Sequence, residues 1–254
     1  MIAPKKGLGQ HFLVDENILA VIGRLAELAP DDVVLEIGPG LGVLTRYLAD
    51  RVARVHAVEI DASLEPHLRA AGANVDLHFG DALRLDLAAL APGATKLVAN
   101  LPYNVATPLI VESLGGLPEI GLWCVMMQRE VADRLFAAPG TKAYGAVSVL
   151  VQLATERTGF HPVSRTVFRP RPNVDSALVA FRRTRLPDGY PRIKTVVGAA
   201  FAYRRKTLPN SLELAGAATR EQGASALAAI SRDPATRAEA LSPDEFVALT
   251  EALA

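Results

Sequence analysis

The chain has 254 residues and a mass of 27.0 kDa; half of its residues are hydrophobic and 21% are charged, a composition that supports a packed core and excludes intrinsic disorder. This length fits one large domain, or one domain with a small addition. Lys and Arg together number 27, as do Asp and Glu, and the resulting net charge of zero would by itself argue against a polyanionic partner.

The charge is, however, unevenly distributed along the chain. Residues 161–212 include eleven basic and two acidic residues, a net charge of +9, which leaves a net charge of −9 on the remainder. Such asymmetry is typical of a protein that contacts nucleic acid or another anionic surface.

The single cysteine, Cys124, excludes an intramolecular disulfide framework and cysteine-rich zinc sites. It lies in an apolar run and is expected to be a buried, unreactive thiol. The five histidines lack the spacing of a metal-binding motif, so no metal site is expected. The first residues have no apolar signal-peptide core and no apolar run reaches membrane-spanning length, so we expect a cytoplasmic protein.

Short β-branched runs alternate with segments of helical periodicity along the first half of the chain. The predicted strands cover residues 33–38, 54–61, 75–81, 96–100 and 122–128. Helical spacing is seen between them, for example in residues 43–50 and 63–71. This repetition predicts an α/β fold with a parallel, doubly wound sheet that is covered by helices on both faces.

Two further strands are predicted at residues 148–155 and 177–182, which brings the sheet to seven strands. Their proline-rich connection has no clear long helix, and this favours a late antiparallel pair at one end of the sheet. A cluster of helix and strand breakers follows at residues 187–191, and beyond it the chain has helical spacing without strand runs. We therefore predict a larger domain over residues 1–186 and a small all-α domain, with three or four short helices, over residues 187–254.

The first predicted strand leads into a loop that contains Gly38, Gly40 and Gly42. Alternating glycines let the backbone turn sharply and pass close to a ligand, and the loop ends at a helix N-terminus, which suits a nucleotide. A dinucleotide-binding dehydrogenase has its third glycine one residue later, where this chain has Val43. The glycine spacing therefore disfavours a nicotinamide oxidoreductase.

Carboxylates end the next two predicted strands. Glu59 ends the second, about twenty residues after the glycine loop, and is placed to accept hydrogen bonds from a ribose diol. Asp81 ends the third and is placed to accept from the exocyclic amino group of adenine. Open α/β sheets bind ligands at the carboxyl ends of their strands, so the three features together indicate an adenosine with a free diol.

The fourth predicted strand ends in Asn100-Leu101-Pro102-Tyr103. The Asn100 side chain and the Leu101 carbonyl offer two acceptors for the N–H groups of an exocyclic amine. Pro102 is compatible with a stiff loop, and the Tyr103 ring offers a face on which a base can stack. The tetrapeptide therefore predicts a site that holds an amino group of a nucleobase, and no Ser/His/Asp arrangement accompanies it.

These motifs carry a family resemblance. The glycine loop resembles the S-adenosylmethionine loop of class I methyltransferases, and the tetrapeptide resembles the N-(L/I)-P-Y variant of the motif of amino methyltransferases. Over nearly its whole length the sequence resembles the ribosomal RNA adenine N6,N6-dimethyltransferases of the small-subunit (16S rRNA) type. The matching segments are residues 6–13, 36–42, 58–61, 80–82, 100–103, 127–132, 168–177 and 201–208.

The resemblance implies a class I methyltransferase fold with S-adenosylmethionine as the methyl donor. It implies methyl transfer to N6 of two adjacent adenosines in a hairpin loop near the 3′ end of 16S rRNA, on the immature small ribosomal subunit. Residues 1–186 would bind the cofactor and catalyse transfer, and residues 187–254 would bind RNA. Nothing in the sequence demands a dimer, so we expect a monomer.

The resemblance also implies roles for individual residues. The cofactor would be bound by His11, Leu13, Gly38, Gly40, Glu59, Asp81, Ala82 and Asn100. The target adenine would be held by Asn100, Leu101, Pro102 and Tyr103, with Phe168 closing over the other face of the base. The RNA backbone would be bound by Arg169, Arg171, Arg204, Arg205 and Lys206. At two positions the chain departs from the family pattern: His11 stands where Asn is common, and Pro209 where a basic residue is frequent.

Two alternatives share some of these features. An erythromycin-resistance-type methyltransferase of 23S rRNA has the same glycine loop and tetrapeptide, but residues 168–177 and 204–208 favour the small-subunit group. An assembly factor that mainly docks on immature small subunits is the alternative from another class, although the intact Asn100–Tyr103 motif argues that chemistry is retained.

Overall fold

A computed structural model describes residues 11–253, so residues 6–10 of the first matching segment lie outside the described part of the chain. The strands in residues 11–253 are β1 (Phe12–Leu13), β2 (Val33–Ile37), β3 (Arg54–Glu59), β4 (Val75–Phe79), β5 (Lys96–Asn100), β6 (Leu122–Gln128), β7 (Thr155–Val163), β8 (Phe168–Arg169) and β9 (Ser176–Arg183). The α-helices there are α1 (Glu16–Leu25), α2 (Val43–Ala49), α3 (Glu65–Leu68), α4 (Leu87–Leu90), α5 (Ala106–Gly116), α6 (Arg129–Leu135), α7 (Ala146–Ala154), α8 (Tyr190–Ala202), α9 (Leu208–Leu214), α10 (Arg220–Ala229) and α11 (Pro243–Ala252).

Seven of the strands form one mixed sheet in the order β4-β3-β2-β5-β6-β9-β7. The neighbours from β4 to β6 pair in parallel, whereas β9 runs antiparallel to β6. The remaining two strands, β1 and β8, pair antiparallel, with Leu13 opposite Phe168. The prediction of an α/β fold with a seven-stranded sheet and a late antiparallel strand is confirmed.

The parallel arrangement determines where the functional loops lie. In the register of the sheet Ile37 is opposite Val58, and Glu59 is opposite Phe79. Because β2, β3, β4 and β5 run in the same direction, the segments that follow them emerge at one edge of the sheet. The glycine loop, Glu59, Asp81 and Asn100 therefore share that edge.

The interior of the sheet is densely apolar around β6. Trp123 and Phe181 stack with their ring centroids 5.3 Å apart, and Cys124 between β5 and β9 is fully buried. Burial raises the pKa of the Cys124 thiol to about 12, so the group stays protonated near neutral pH. The expectation of a buried, unreactive thiol is confirmed.

The strand predicted at residues 148–155 is wrong, because this segment forms α7 and the strand β7 begins only at its end. Residues 147–151 are all buried, so the segment has no polar face that would reveal helical periodicity. The helix start is instead defined by Ser148, whose hydroxyl accepts from the Gly145 N–H (3.0 Å) and donates to the Arg134 carbonyl (2.6 Å). A short apolar run by itself does not distinguish a buried strand from a buried helix.

The chain divides into two compact units. Within the described residues, the first comprises residues 11–132 and 156–183, and the second comprises residues 133–155 and 184–253. The predicted single boundary after Leu186 lies close to the second crossing point, but it does not provide for residues 133–155, which contain α7. The chain leaves the first unit at residue 133 and returns to it at residue 156. The inserted segment contains an apolar helix and lacks the composition of a linker, so the sequence does not indicate the insertion.

The second unit is helical and has an aromatic centre. The Phe201 ring lies 6.0 Å from the Tyr144 ring and 5.7 Å from the Phe246 ring, and the Tyr144 hydroxyl donates to the Leu241 carbonyl at 2.8 Å. Ser242 caps α11. The four helices after residue 187 match the predicted three or four. Among residues 11–253, no helix combines the length and the apolar character needed to cross a membrane.

Candidate active site

The glycine loop turns in a conformation that side chains rarely adopt. Gly38, Gly40 and Gly42 have φ angles of 75°, 58° and 76°. A Cβ atom on Gly38 would lie 3.3 Å from Cδ of Pro102, and one on Gly40 would lie 3.0 Å from a ring carbon of Phe12. The loop is therefore packed between β1 and the segment after β5, and both its backbone angles and its surroundings favour glycine.

Two clefts open at this edge of the sheet. The first is lined by His11, Phe12, Leu13, Glu36, Gly38, Pro39, Gly40, Leu41, Val43, Leu44, Glu59, Ile60, Asn100, Leu101, Pro102 and Tyr103. Asp81 and Ala82 line the second cleft. Gly38, Glu59, Ile60 and Pro102 line both, so the clefts adjoin. The structure thus brings together every residue predicted from the sequence to bind the cofactor.

Glu59 is a buried carboxylate that receives two backbone hydrogen bonds. Its Oε2 accepts from the Gly40 N–H at 3.0 Å, and its Oε1 accepts from the Asp61 N–H at 2.9 Å. Burial raises the pKa of Glu59, and these two N–H donors partly oppose the rise. Each carboxylate oxygen keeps a second lone pair, so the group can still accept from a ligand in either cleft.

Asp81 lies at the turn after β4, where its side chain is partly exposed. Its Oδ1 accepts from the Leu83 N–H at 3.0 Å, and Oδ2 lies 3.5 Å from Nε of Arg84. Ile60 and Leu83, both more than a third exposed, flank the second cleft. A mostly apolar cleft lined by the carboxylates of Glu59 and Asp81 suits a flat base that carries an amino group.

Glu36 is a site residue that sequence reasoning missed. It is 1% exposed, lines the first cleft, and its Oε2 has no hydrogen-bond partner in residues 11–253. Burial raises the pKa of Glu36 to about 8; the Thr45 hydroxyl opposes this rise and the charge of Glu59 adds to it. The signal in the sequence is a lone acid in the apolar run of β2.

We expect the stability of the protein to fall with increasing pH through Glu36. Because its folded-state pKa lies above the ordinary 4.5, the stabilising contribution is complete below pH 4.5 and is lost as the pH rises toward 8. The loss should reach about 1.4 kcal/mol per pH unit at most. Urea unfolding of the wild type and of Glu36→Gln between pH 5 and 9 measures it. The variant should gain relative stability as the pH rises, and parallel curves would contradict a buried neutral Glu36.

The Asn100 side chain has a defined orientation at the end of β5. Its Nδ2 donates to the His11 carbonyl at 3.2 Å. With the amide nitrogen turned toward β1, the carbonyl oxygen Oδ1 is left as an acceptor. Leu101 is fixed next to it, because its N–H donates to the Met126 carbonyl at 3.0 Å and its side chain is buried. The Pro102 carbonyl accepts from Val105 and Ala106 and begins α5.

Tyr103 lies beside this pair with its ring half-buried. Its hydroxyl is 2.5 Å from Oγ of Ser176, and its ring centroid is 5.4 Å from that of His11. Nδ1 of His11 lies 2.9 Å from the Pro170 carbonyl. His11 therefore contacts the site through its backbone at Asn100 and through its ring at Tyr103.

Phe168 does not lie where the resemblance placed it. The side chain is only 2% exposed, belongs to the core cluster with Leu13, Val163 and Val167, and does not line either cleft. The pairing of β8 with β1 directs the ring inward. The expectation that Phe168 offers a stacking face to a base is not met, because its ring is part of the core.

The predicted RNA-binding residues fall into different environments. Arg169 and Arg171 are exposed on the loop that contains β8. In the helical unit Arg204, Arg205 and Lys206 are all exposed. Arg204 also makes contacts inside this unit, because its Nη2 donates to the Tyr144 carbonyl at 2.9 Å and lies 3.7 Å from a Glu239 carboxylate oxygen. Arg204 therefore has a structural role inside its own unit.

Two arginines of the basic residues 161–212 make contacts inside the first unit. Arg183 donates to the carbonyls of Leu114, Leu117 and Ile120 at the end of α5, and lies over the Trp123 ring. Arg182 pairs with Glu27. Part of the charge asymmetry is thus structural rather than a surface for a partner.

The fold and the clefts define the structural class of the protein. A dimethyladenosine transferase from Plasmodium falciparum superposes with a TM-score of 0.77 over 94% of this chain and 96% of that chain, at 24% identity. The 23S rRNA methyltransferase ErmE superposes with a TM-score of 0.66 over 95% and 99%, at 29% identity. The architecture is that of the class I methyltransferases.

The sequence profile of the ribosomal RNA adenine dimethylase family matches residues 2–254. The chain is 50% identical to the ribosomal RNA small subunit methyltransferase A of Rubrobacter xylanophilus, over 97% of this chain and 94% of the relative. It is 45% identical to the protein of the same name from Lactiplantibacillus plantarum, over 98% and 90%. The chain belongs to the ribosomal RNA adenine dimethylase family, and it is an enzyme, an rRNA adenine methyltransferase.

Proposed function

We propose that this chain transfers methyl groups from S-adenosylmethionine to N6 of two adjacent adenosines in a hairpin loop near the 3′ end of 16S rRNA, giving N6,N6-dimethyladenosine. The observation that carries the proposal is the oriented Asn100 amide, which presents an acceptor beside the Leu101 carbonyl and the Tyr103 ring at the mouth of the glycine-loop cleft. Relatives named for the small ribosomal subunit support this target.

The two clefts fit a nucleoside-bearing methyl donor. The side-chain-free glycine loop lets the backbone approach the ligand, and the unpartnered Glu36 oxygen offers a polar contact inside the cleft. Glu59 would accept from the ribose hydroxyls and Asp81 from the adenine amino group. The lining of the two clefts is completed by His11, Leu13, Gly38, Gly40 and Ala82. When bound, S-adenosylmethionine supplies an activated methyl group on a sulfonium.

The residues after β5 supply the catalysis. The lone pair of an adenine amino group is delocalised into the ring, so the nitrogen is a poor nucleophile. Asn100 Oδ1 and the Leu101 carbonyl accept its two N–H groups, which favours a pyramidal nitrogen and frees the lone pair for in-line attack. Positioning and electrostatics account for most of the rate, and no general base is required before the methyl group is transferred.

The target base would stack on Tyr103. Aromatic stacking holds an extruded or looped-out base whatever its hydrogen-bonding edge. Pro102 stiffens the loop that carries the ring. Phe168 would reach the second face of the base only by leaving the core, so we assign the stacking contact to Tyr103 and leave Phe168 as a structural residue of β8.

The RNA backbone would be bound by exposed cations on each unit, Arg169 and Arg171 on the first and Arg205 and Lys206 on the second. Arg204 supports this region through its hydrogen bond to the Tyr144 carbonyl. The substrate would be the immature small subunit, on which a monomer would act in the cytoplasm. A hairpin loop suits the site because its bases are already unstacked.

We expect the double variant Arg205→Ala/Lys206→Ala to bind RNA more weakly and with a flatter salt dependence, by roughly 1.5 in the slope of log K against log salt. Filter binding to the 16S hairpin at several salt concentrations measures the slope. The double variant Arg220→Ala/Arg237→Ala is the matched control, because both side chains are exposed in the same unit outside the basic stretch. Equal slopes for the two variants would mean that Arg205 and Lys206 face only solvent.

The test of the function is methyl transfer from labelled S-adenosylmethionine to undermethylated small and large ribosomal subunits, followed by nuclease digestion and mass spectrometry. N6,N6-dimethyladenosine in the small-subunit RNA alone is the expected result. Label in the large subunit would instead identify a 23S rRNA methyltransferase, a possibility to which the structural similarity to ErmE draws attention. Binding to immature subunits without label in either RNA would favour the assembly-factor role.

A further inference from the structure

Ser176 is a buried polar residue of the segment 168–177 that lines neither cleft. It is the first residue of β9, lies opposite Gln128 of β6, and has no exposed surface. Its Oγ is 2.5 Å from the Tyr103 hydroxyl. A hydroxyl buried at the end of an apolar strand costs free energy unless it is hydrogen-bonded. The bond to Tyr103 offsets this cost and joins Ser176 to the site.

The backbone that carries Ser176 is held at several points. The carbonyl of the preceding residue, Asp175, accepts from the Arg129 N–H at 2.9 Å, and its Oδ1 accepts from the Arg165 N–H at 3.2 Å. On the other side Ser176 continues into the ladder between β9 and β6. Its hydroxyl is therefore a fixed point in the sheet unit.

Tyr103 lies in the turn between β5 and α5, outside any strand or helix. A tyrosine in such a turn has a ring that can rotate about χ1 unless its far end is held. The bond to Ser176 holds the hydroxyl, and the His11 ring lies 5.4 Å from the tyrosine ring. Together these contacts determine which way the ring plane faces.

We propose that Ser176 is a positioning residue that fixes the ring plane of Tyr103 for stacking on the target adenine. This inference rests on the proposed function, which assigns the stacking contact to Tyr103. The bond joins the end of β9 to the loop after β5, so the antiparallel strand contributes to the site without touching the substrate. The ring is then already oriented when the base arrives, and the entropic cost of ordering it is not incurred on binding.

Loss of the bond is expected to act on RNA and not on the cofactor. Ser176→Ala and Tyr103→Phe should each lower kcat/KM for the RNA by about tenfold, mainly through KM, and leave cofactor affinity unchanged. Because both substitutions remove the same bond, the double variant should be no worse than the more impaired single variant. Ser176→Thr keeps the hydroxyl and should restore most of the activity.

Ser113→Ala is the matched control for stability. Ser113 is another buried serine of the same unit, and its Oγ accepts from the indole N–H of Trp123 at 2.9 Å. If Ser176→Ala acted only by destabilising the fold, Ser113→Ala at a similar loss of Tm would raise KM equally. Wild-type KM in Ser176→Ala, or single effects that multiply in the double variant, would overturn the proposal.

A second measurement does not depend on methyl transfer. In protein with ring-¹³C-labelled tyrosine, the Tyr103 resonance, assigned through Tyr103→Phe, should be sharp in the wild type and broadened or shifted in Ser176→Ala. An unchanged resonance would overturn the positioning role even in a fully active enzyme. The two proposals can fail separately. If the wild type does not methylate small-subunit RNA but the Tyr103 resonance changes in Ser176→Ala, the proposed function is refuted and the positioning of Tyr103 by Ser176 is established.

Discussion

Asn100→Ala is expected to reduce methyl transfer to below about one-thousandth of the wild-type rate. The substitution removes the acceptor proposed to face the target amine and, in the same step, the Nδ2 donor that bonds to the His11 carbonyl at the end of β5. Cofactor affinity should remain within about tenfold of wild type, roughly 1.4 kcal/mol, because Glu59 and the glycine loop are intact. Single-turnover transfer and calorimetric binding of S-adenosylhomocysteine measure the two effects separately.

Two further variants sharpen this prediction. Asn100→Asp retains an acceptor but has no N–H to donate to His11, so we expect transfer between that of the wild type and that of the alanine variant. Asn17→Ala, on the exposed face of α1, is the control and should transfer at the wild-type rate. Normal turnover in Asn100→Ala would remove the side chain from the mechanism and leave the Leu101 carbonyl as the main contact.

Glu59→Ala is expected to weaken cofactor binding by about a hundredfold, or about 2.7 kcal/mol. The carboxylate has two functions in the structure: it lines both clefts and it accepts from the N–H groups of Gly40 and Asp61. Its loss would therefore remove ligand contacts and also release the glycine loop from β3. Glu59→Gln should be nearly as impaired, because one amide N–H group would face a backbone donor.

Calorimetric titration with S-adenosylhomocysteine checks the Glu59 prediction. The control is Asp86→Asn, which alters a carboxylate that accepts from the Ala89 N–H at the start of α4 and lines neither of the two clefts. The two variants should be compared at temperatures equally far below their Tm values. This is needed because Glu59 is buried, so its substitution also affects folding. An unchanged cofactor affinity in Glu59→Ala would assign the carboxylate to loop structure alone.

The residues that could be identified from the sequence share a simple property. Glu59, Asp81 and Asn100 each stand at or just beyond the end of a β-branched run, and parallel strands bring such ends to one edge. The five strands β2 to β6 could be predicted because their apolar runs are bounded by turn residues. For these residues the local sequence pattern specifies the position in the fold. Motifs that follow one another along the chain therefore lie together in the site.

Other residues could not be placed in this way. Glu36 is titratable and buried because β2 is covered on both faces, and Ser176 meets Tyr103 only because β9 returns antiparallel beside β6. The pairing of β8 with β1 turns Phe168 into the core. Tyr103 and Ser176 are 73 residues apart along the chain. Local periodicity does not report such contacts, nor does it report that both faces of β2 are covered.

The charge pattern shows the same division. The sequence determined the α/β fold, the glycine loop, the acceptors at the strand ends and the concentration of cations in residues 161–212. Only the tertiary structure decided that Arg183 donates to carbonyls at the end of α5, and that Arg204 donates to the Tyr144 carbonyl while it stays exposed with Arg205 and Lys206. Patterns of polarity specify secondary structure and strand ends because those depend on neighbouring residues, whereas the partner of a side chain depends on which distant segments pack around it.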